Sequence, residues 1–116
     1  MSGVDIQGMT PVLPVPDLAE AAKVWSALLG VAPTFVDGDR WAQFDVAGRR
    51  LALAGTDRAS DQAGLMIKVA DLAAARAAAE AAGLSVSEPV TGPHELRCTA
   101  VTPGGWALVL YAPRPA

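Results

Sequence analysis

The 116-residue sequence holds one cysteine, Cys98, and one histidine, His94. A lone thiol excludes an intrachain disulfide, and one thiol with one imidazole falls short of a structural zinc site. A reducing, cytoplasmic setting is therefore expected. Basic charge is not in excess either: nine Lys and Arg stand against twelve Asp and Glu, a net charge of -3. That balance removes the broad attraction on which nonspecific binders of nucleic acid or anionic membranes rely. No apolar run approaches the roughly 20 residues of a membrane helix. Met1–Met9, which carries Asp5 and Gln7, lacks the basic start and apolar middle of a secretory signal. Neither a nucleic-acid nor a membrane partner is expected. What remains is a length suited to one domain, 1–116, able to bury a core without disulfides or a structural metal.

The chain repeats itself. Pro14-Val15-Pro16-Asp17-Leu18-Ala19 opens a helix-like stretch that closes at Leu29-Gly30, and Lys68-Val69-Ala70-Asp71-Leu72-Ala73 opens another that closes at Gly83-Leu84. In each copy the Asp can accept a hydrogen bond from the free amides of a first helical turn, and Asp17 with Glu20 has the spacing of a capping box. The first helix, about 18–29, places Leu18, Ala21, Ala22, Trp25, Leu28 and Leu29 on one stripe, with Gly30 as its left-handed stop. The second, about 72–82, is alanine-rich and allows close approach to a sheet. Three extended segments follow each helix: 33–36, 40–46 and 50–54, then 85–90, 96–101 and 106–111. The turns between them contain Gly38, Gly48, Gly92 and Gly104-Gly105. Each half therefore predicts βαβββ, with modules at about 8–55 and 64–113 and a polar linker at 56–63. The fold class is α+β: two tandem modules forming a concave mixed sheet with helices on its outer face.

This order, with Val15-Pro16-Asp17-Leu18, Leu28-Leu29-Gly30 and Thr102-Pro103-Gly104-Gly105, resembles the vicinal-oxygen-chelate superfamily of glyoxalases, extradiol dioxygenases and bleomycin-resistance proteins. The resemblance implies metal ligands on the opening and final strands of each half. Carried over by position, these fall on Thr10, on Gly64, on Val109 and on one of Leu51, Ala52, Leu53 or Ala54. A hydroxyl, a hydrogen and alkyl groups cannot replace the imidazoles and carboxylates that hold a divalent ion. No metal and no cofactor is expected.

Strand alternation assigns faces. Pro11, Leu13 and Val15 are expected under the first helix, Leu65, Ile67 and Val69 under the second, and Trp106, Leu108 and Leu110 in the core. On the opposite faces Trp41, Gln43 and Asp45 share one strand, Met66 and Lys68 another, Arg97 and Thr99 a third, and Tyr111 the last. These eight residues are the candidate ligand-binding set, because an apolar concavity with a few convergent polar groups is how small-ligand sites are built. Trp41 could stack on a ring or a cation, or could seal a dimer contact. Cys98, in mid-strand, reads as a small buried hydrophobe. His94 reads as a turn residue, or as a hydrogen-bonding group at a pocket rim.

The leading functional expectation is a small-molecule-binding protein of the bleomycin-resistance kind. It would bind or sequester a planar or amphipathic ligand without metal, and Asp45 with the net negative charge would favour a cationic one. The resemblance also implies a homodimer. A second reading is a glyoxalase- or dioxygenase-like lyase or isomerase with an atypical or metal-independent site, using Asp45, His94 or Tyr111 as acid or base. A third is a structural or regulatory partner protein with an exposed apolar patch and no small ligand.

Overall fold

Val-x-Asp-Leu performs the same local task twice. In the computed structural model, which describes residues 5–114, Asp17 and Asp71 both have extended backbones, and each accepts a hydrogen bond at 3.1 Å, from the amides of Glu20 and Ala74 respectively. A cap of this kind stabilises a helix by about 1 kcal/mol. The preceding Val15 and Val69 and the following Leu18 and Leu72 enter the apolar cores. The capped helices are α1 (Leu18–Leu29) and α2 (Leu72–Ala81). Gly30 ends α1 with φ 74° and donates to Ser26 O, and Gly83, just past α2, has φ 95°. The first four residues of the segment read as lacking a secretory signal lie outside the described residues.

Element order is βαβββ and then βα followed by four strands: β1 (Ile6–Pro14), α1, β2 (Phe35–Asp37), β3 (Trp41–Val46), β4 (Arg49–Ala54), β5 (Gly64–Val69), α2, β6 (Ser85–Val86), β7 (Val90–Thr91), β8 (Glu95–Val101) and β9 (Ala107–Pro113). The fold class is α+β, as the repeat predicts. The chain divides into two compact units, Thr10–Ala63 and Met1–Met9 with Gly64–Ala116, so β1 contributes residues to both.

In the Thr10–Ala63 unit the strand order is β2-β3-β4-β1, with β1 parallel to β4 and the other pairs antiparallel. Ala42, Phe44, Leu53 and Leu18 are buried, and Leu13, Val15, Ala21, Ala22, Trp25, Leu29 and Val46 pack around them. Fully burying Phe44 and Leu53 contributes about 1.5–3 kcal/mol each. The β3–β4 hairpin turns on Ala47 (φ 51°) and Gly48 (φ 77°), the positive-φ pair that matches strand twist.

In the other unit β5 is parallel to β9, β9 is antiparallel to β8, and β6 and β7 both pair with β8. Its core is Val69, Leu72, Ala75, Cys98, Leu110 and Ala112.

Four expectations are corrected. The strand expected at 85–90 is two short pieces, because Pro89 has no amide for a ladder and Ser87 Oγ takes the Thr99 amide at 2.9 Å. Trp106 is not core: it precedes β9 and is 71% exposed, its amide and carbonyl both bonded to Thr102. Leu28 is exposed, because it falls about 80° from the centre of the α1 stripe at 100° per residue. Pro11 is exposed, since the β1–β4 register begins only at Val12. No helix among the described residues is long and apolar enough to cross a membrane.

Candidate functional site

The two strand faces turned away from the helices carry the residues singled out from sequence, three in one unit and five in the other. On β3, Ala42 and Phe44 are buried against α1, so Trp41, Gln43 and Asp45 point the other way. Trp41 and Gln43 are half-buried, and the indole Nε1 donates to Gln43 Oε1 at 3.1 Å. Asp45 is exposed and fully engaged. Its carboxylate accepts from Thr34 Oγ1 at 2.7 Å and from Arg50 Nε at 3.2 Å. Those two bonds, Thr34 first, hold its pKa below the usual carboxylate value. An ionised carboxylate already accepting two hydrogen bonds is a poor proton acceptor, which weakens Asp45 as a general base.

In the second unit Ile67, Val69, Cys98, Leu110 and Ala112 pack with α2, and the alternate residues form the opposite face. Lys68 pairs with Tyr111 across β5–β9, and Tyr111 pairs with Arg97 across β9–β8. Met66, Val109 and Thr99 form the adjacent row. All six are half-buried. Arg97 Nη1 lies 3.6 Å from Glu95 Oε2, and both side chains are more than three-quarters buried. The structure thus brings Met66, Lys68, Arg97, Thr99 and Tyr111 onto one continuous patch.

His94 is exposed in the turn before β8, its carbonyl accepting from Arg114 N at 3.2 Å. Cys98 is buried, and burial pushes its thiol pKa up despite the opposing pull of the Arg76 guanidinium. The thiolate needed for nucleophilic chemistry is correspondingly disfavoured.

The positions implied for metal ligands do not fit an ion. A Cβ at Gly64 would lie 2.6 Å from Ala107 O, so no ligating side chain fits there without moving β5 from β9. Val109 presents an alkyl group between Met66 and Thr99. In the other unit the β4 residues facing away from α1 are Ala52 and Ala54, paired with Val12 and Pro14. Thr10 is buried and offers a hydroxyl. Among the described residues, no three His, Cys, Asp or Glu converge.

Sequence reasoning missed a cavity of about 500 Å³ within the Thr10–Ala63 unit, where Pro16–Ala19 at the start of α1 meet Gly38-Asp39 and Gly55-Thr56 with Arg58. The only signals were Val15-Pro16-Asp17-Leu18, read as a helix cap, and Arg58, read as linker. Arg58 donates to Gly55 O and Val15 O, both at 2.7 Å, and pairs with Asp61 at 3.5 Å. Its charge is spent on the backbone of its own unit.

No protein-family model matches the sequence, and no curated protein matches it. Solved structures do. An NAD-dependent benzaldehyde dehydrogenase from Legionella pneumophila is 15% identical with TM-score 0.81, over 91% of this chain and 99% of that one. A glyoxalase/bleomycin resistance protein/dioxygenase superfamily member from Vibrio splendidus 12B01 is 14% identical with TM-score 0.68, over 93% and 99%. Methylmalonyl-CoA epimerase from Mycobacterium tuberculosis is 20% identical with TM-score 0.68, over 99% and 93%. At these identities the shared property is the fold.

Proposed function

From a chain that has the vicinal-oxygen-chelate fold, we propose a small-molecule-binding domain that works without a metal ion, its ligand held on the sheet face turned away from α2. One observation carries the reading: Lys68, Tyr111 and Arg97 occupy a single cross-strand row, half-buried, on the face opposite α2. A binding surface uses a few charged and phenolic groups of this kind among apolar ones, here Met66 and Val109. Within the Thr10–Ala63 unit, the Trp41–Gln43 pair on β3 provides an aromatic plane fixed by its own hydrogen bond.

The similar structures bear the names of enzymes as well as of a bleomycin-resistance superfamily member. Binding is favoured here because the positions where the resemblance implies metal donors carry a hydroxyl, a hydrogen and alkyl groups. A thermal-shift screen of metabolites and antibiotics tests the reading, since a ligand at 100 times its Kd stabilises by about 2.7 kcal/mol. A hit that Tyr111→Ala abolishes is the expected result, and stoichiometric zinc, iron, manganese or nickel in the purified protein would overturn the metal-free part. The implied homodimer belongs to the same reading and is tested by sedimentation; a monomer at micromolar concentration removes it.

A further inference from the structure

We infer that the face built by β5, β8 and β9 selects a monocarboxylate, with the anionic head on the Lys68–Tyr111–Arg97 row and an aromatic or branched apolar body along Met66 and Val109. The inference rests on the binding reading above and adds the charge and shape of the ligand. It also reverses the cationic preference drawn from composition, since net charge describes the whole chain and this face differs from it.

The register fixes the geometry. Tyr111 lies directly between Lys68 and Arg97, and strands are about 4.8 Å apart, so the two cations rise from backbone positions about 10 Å apart with a ring between them. Lys68 is half-buried, and its ammonium makes no hydrogen bond or ion pair with any described residue. A lysine whose stem lies on a half-buried face, with no counter-charge beside its ammonium, leaves that cation open to an anion. Gly8 flanks Lys68 on β1, where a Cβ would make ordinary contact with Lys68 Cβ at 3.8 Å, and glycine leaves that edge of the lysine stem uncovered.

Pairing sets the valence. Arg97 is already matched by Glu95 at 3.6 Å, so Lys68 is the cation of this row that a ligand would match. A single carboxylate does so, while a second negative charge would meet Glu95. Arg97, held by Glu95, fixes the far end of the row as a positioned guanidinium. The neighbouring row begins two residues along each strand, about 6.7 Å away, and its centre is the Val109 isopropyl group, with the Met66 thioether on the Lys68 side and Thr99 on the other. A benzene ring or a short branched chain spans that distance.

The test uses the full chain, labelled for amide NMR, titrated with benzoate, benzylamine and inorganic phosphate. Saturable shifts of β5, β8 and β9 amides with benzoate, absent with benzylamine and weaker with phosphate, are expected. Benzoate affinity should fall as NaCl is added, because the contact is ionic. Lys68→Met should raise the benzoate Kd about tenfold or more, and Lys68→Arg should keep most of the affinity. Amide dispersion reports whether each variant is folded, and the salt titration on the unmodified chain decides the matter if Lys68→Met is not. Equal binding of benzylamine, no effect of Lys68→Met in a folded protein, or salt-independent affinity would each overturn the inference. A neutral or cationic screening hit that moves these amides while benzoate does not would overturn it and leave the binding reading standing. No compound moving them overturns both.

Discussion

Gly92 is what allows Glu95 to fold back against its own turn: a Cβ at position 92 would collide with Glu95 Oε2, the oxygen that lies 3.6 Å from Arg97 Nη1. The charge on the β5–β8–β9 face is therefore trimmed by a glycine three residues before the carboxylate it accommodates. Gly92→Ala should push the carboxylate aside with less than about 1 kcal/mol change in stability, because the displaced atom ends a flexible side chain and φ at 92 is not in the left-handed region. Benzoate affinity in Gly92→Ala and in Glu95→Gln should rise by up to about fivefold, the size of one weakened ion pair. Unchanged affinity in both variants would remove Glu95 from the electrostatics of this face.

Two aromatic substitutions should behave in opposite ways. Phe44 is fully buried under α1, and Phe44→Ala should cost about 3–5 kcal/mol in denaturant unfolding. Trp106 is 71% exposed, so Trp106→Ala should stay within about 0.5 kcal/mol of the unmodified protein. A large loss for Trp106→Ala would restore it to the core that its strand alternation implied.

That contrast marks how far the sequence is legible. The helices, their caps and the alternation of β3 and β8 are written in local chemistry: an Asp before a helix, a glycine after it, and side chains at a period of two. Trp41, Gln43 and Asp45 therefore fall on the expected face, as do Arg97 and Thr99. Trp106 departs from the alternation because its backbone is captured by Thr102, a turn bond that periodicity does not encode. The break between β6 and β7 depends on Ser87 reaching across to Thr99, and the cavity at the start of α1 joins three segments far apart in the chain. The Lys68–Tyr111–Arg97 row was half legible: face membership came from alternation, but the row itself needs strand register, which no single strand contains.

Asp45 gives a pH dependence with a definite sign. Its folded pKa is depressed below 3.8 by the hydrogen bond from Thr34 and then by Arg50. A depressed carboxylate contributes stability that is present above the unfolded value and is lost as pH falls through the folded one. Unfolding midpoints should therefore drop between about pH 4 and lower values, and Asp45→Asn should flatten that part of the profile. A carboxyl carbon NMR titration of Asp45 with its midpoint at or above 3.8 would contradict the assignment.

Arg58 is a structural clasp. Its Nε and Nη2 hold Gly55 O and Val15 O, joining the exits of β4 and β1, and its side chain is 28% exposed. Lysine keeps the charge but has no planar fork to reach both carbonyls. Arg58→Lys should cost about 1.5–3 kcal/mol, the loss of one charge-assisted hydrogen bond. Equal stability of the two proteins in urea would show that the fork is dispensable.

The β3–β4 hairpin contains a residue that its turn does not favour. Ala47 is the only non-glycine among the described residues with positive φ, at 51°, and it is followed by Gly48 at 77°. Two positive-φ residues in a two-residue hairpin favour Asn-Gly, because Asn tolerates the left-handed region whereas the Ala Cβ crowds the carbonyl oxygen there at a cost of about 1–2 kcal/mol. Ala47→Asn should therefore stabilise the protein by about 0.5–1 kcal/mol, read as a higher denaturant midpoint with an unchanged slope. Ala47→Val should do the opposite, since β-branching makes positive φ costlier still. If Asn and Val shift the midpoint in the same direction, the turn at 47–48 is not held in the left-handed region, and the β3 register that carries Trp41, Gln43 and Asp45 would have to be redrawn.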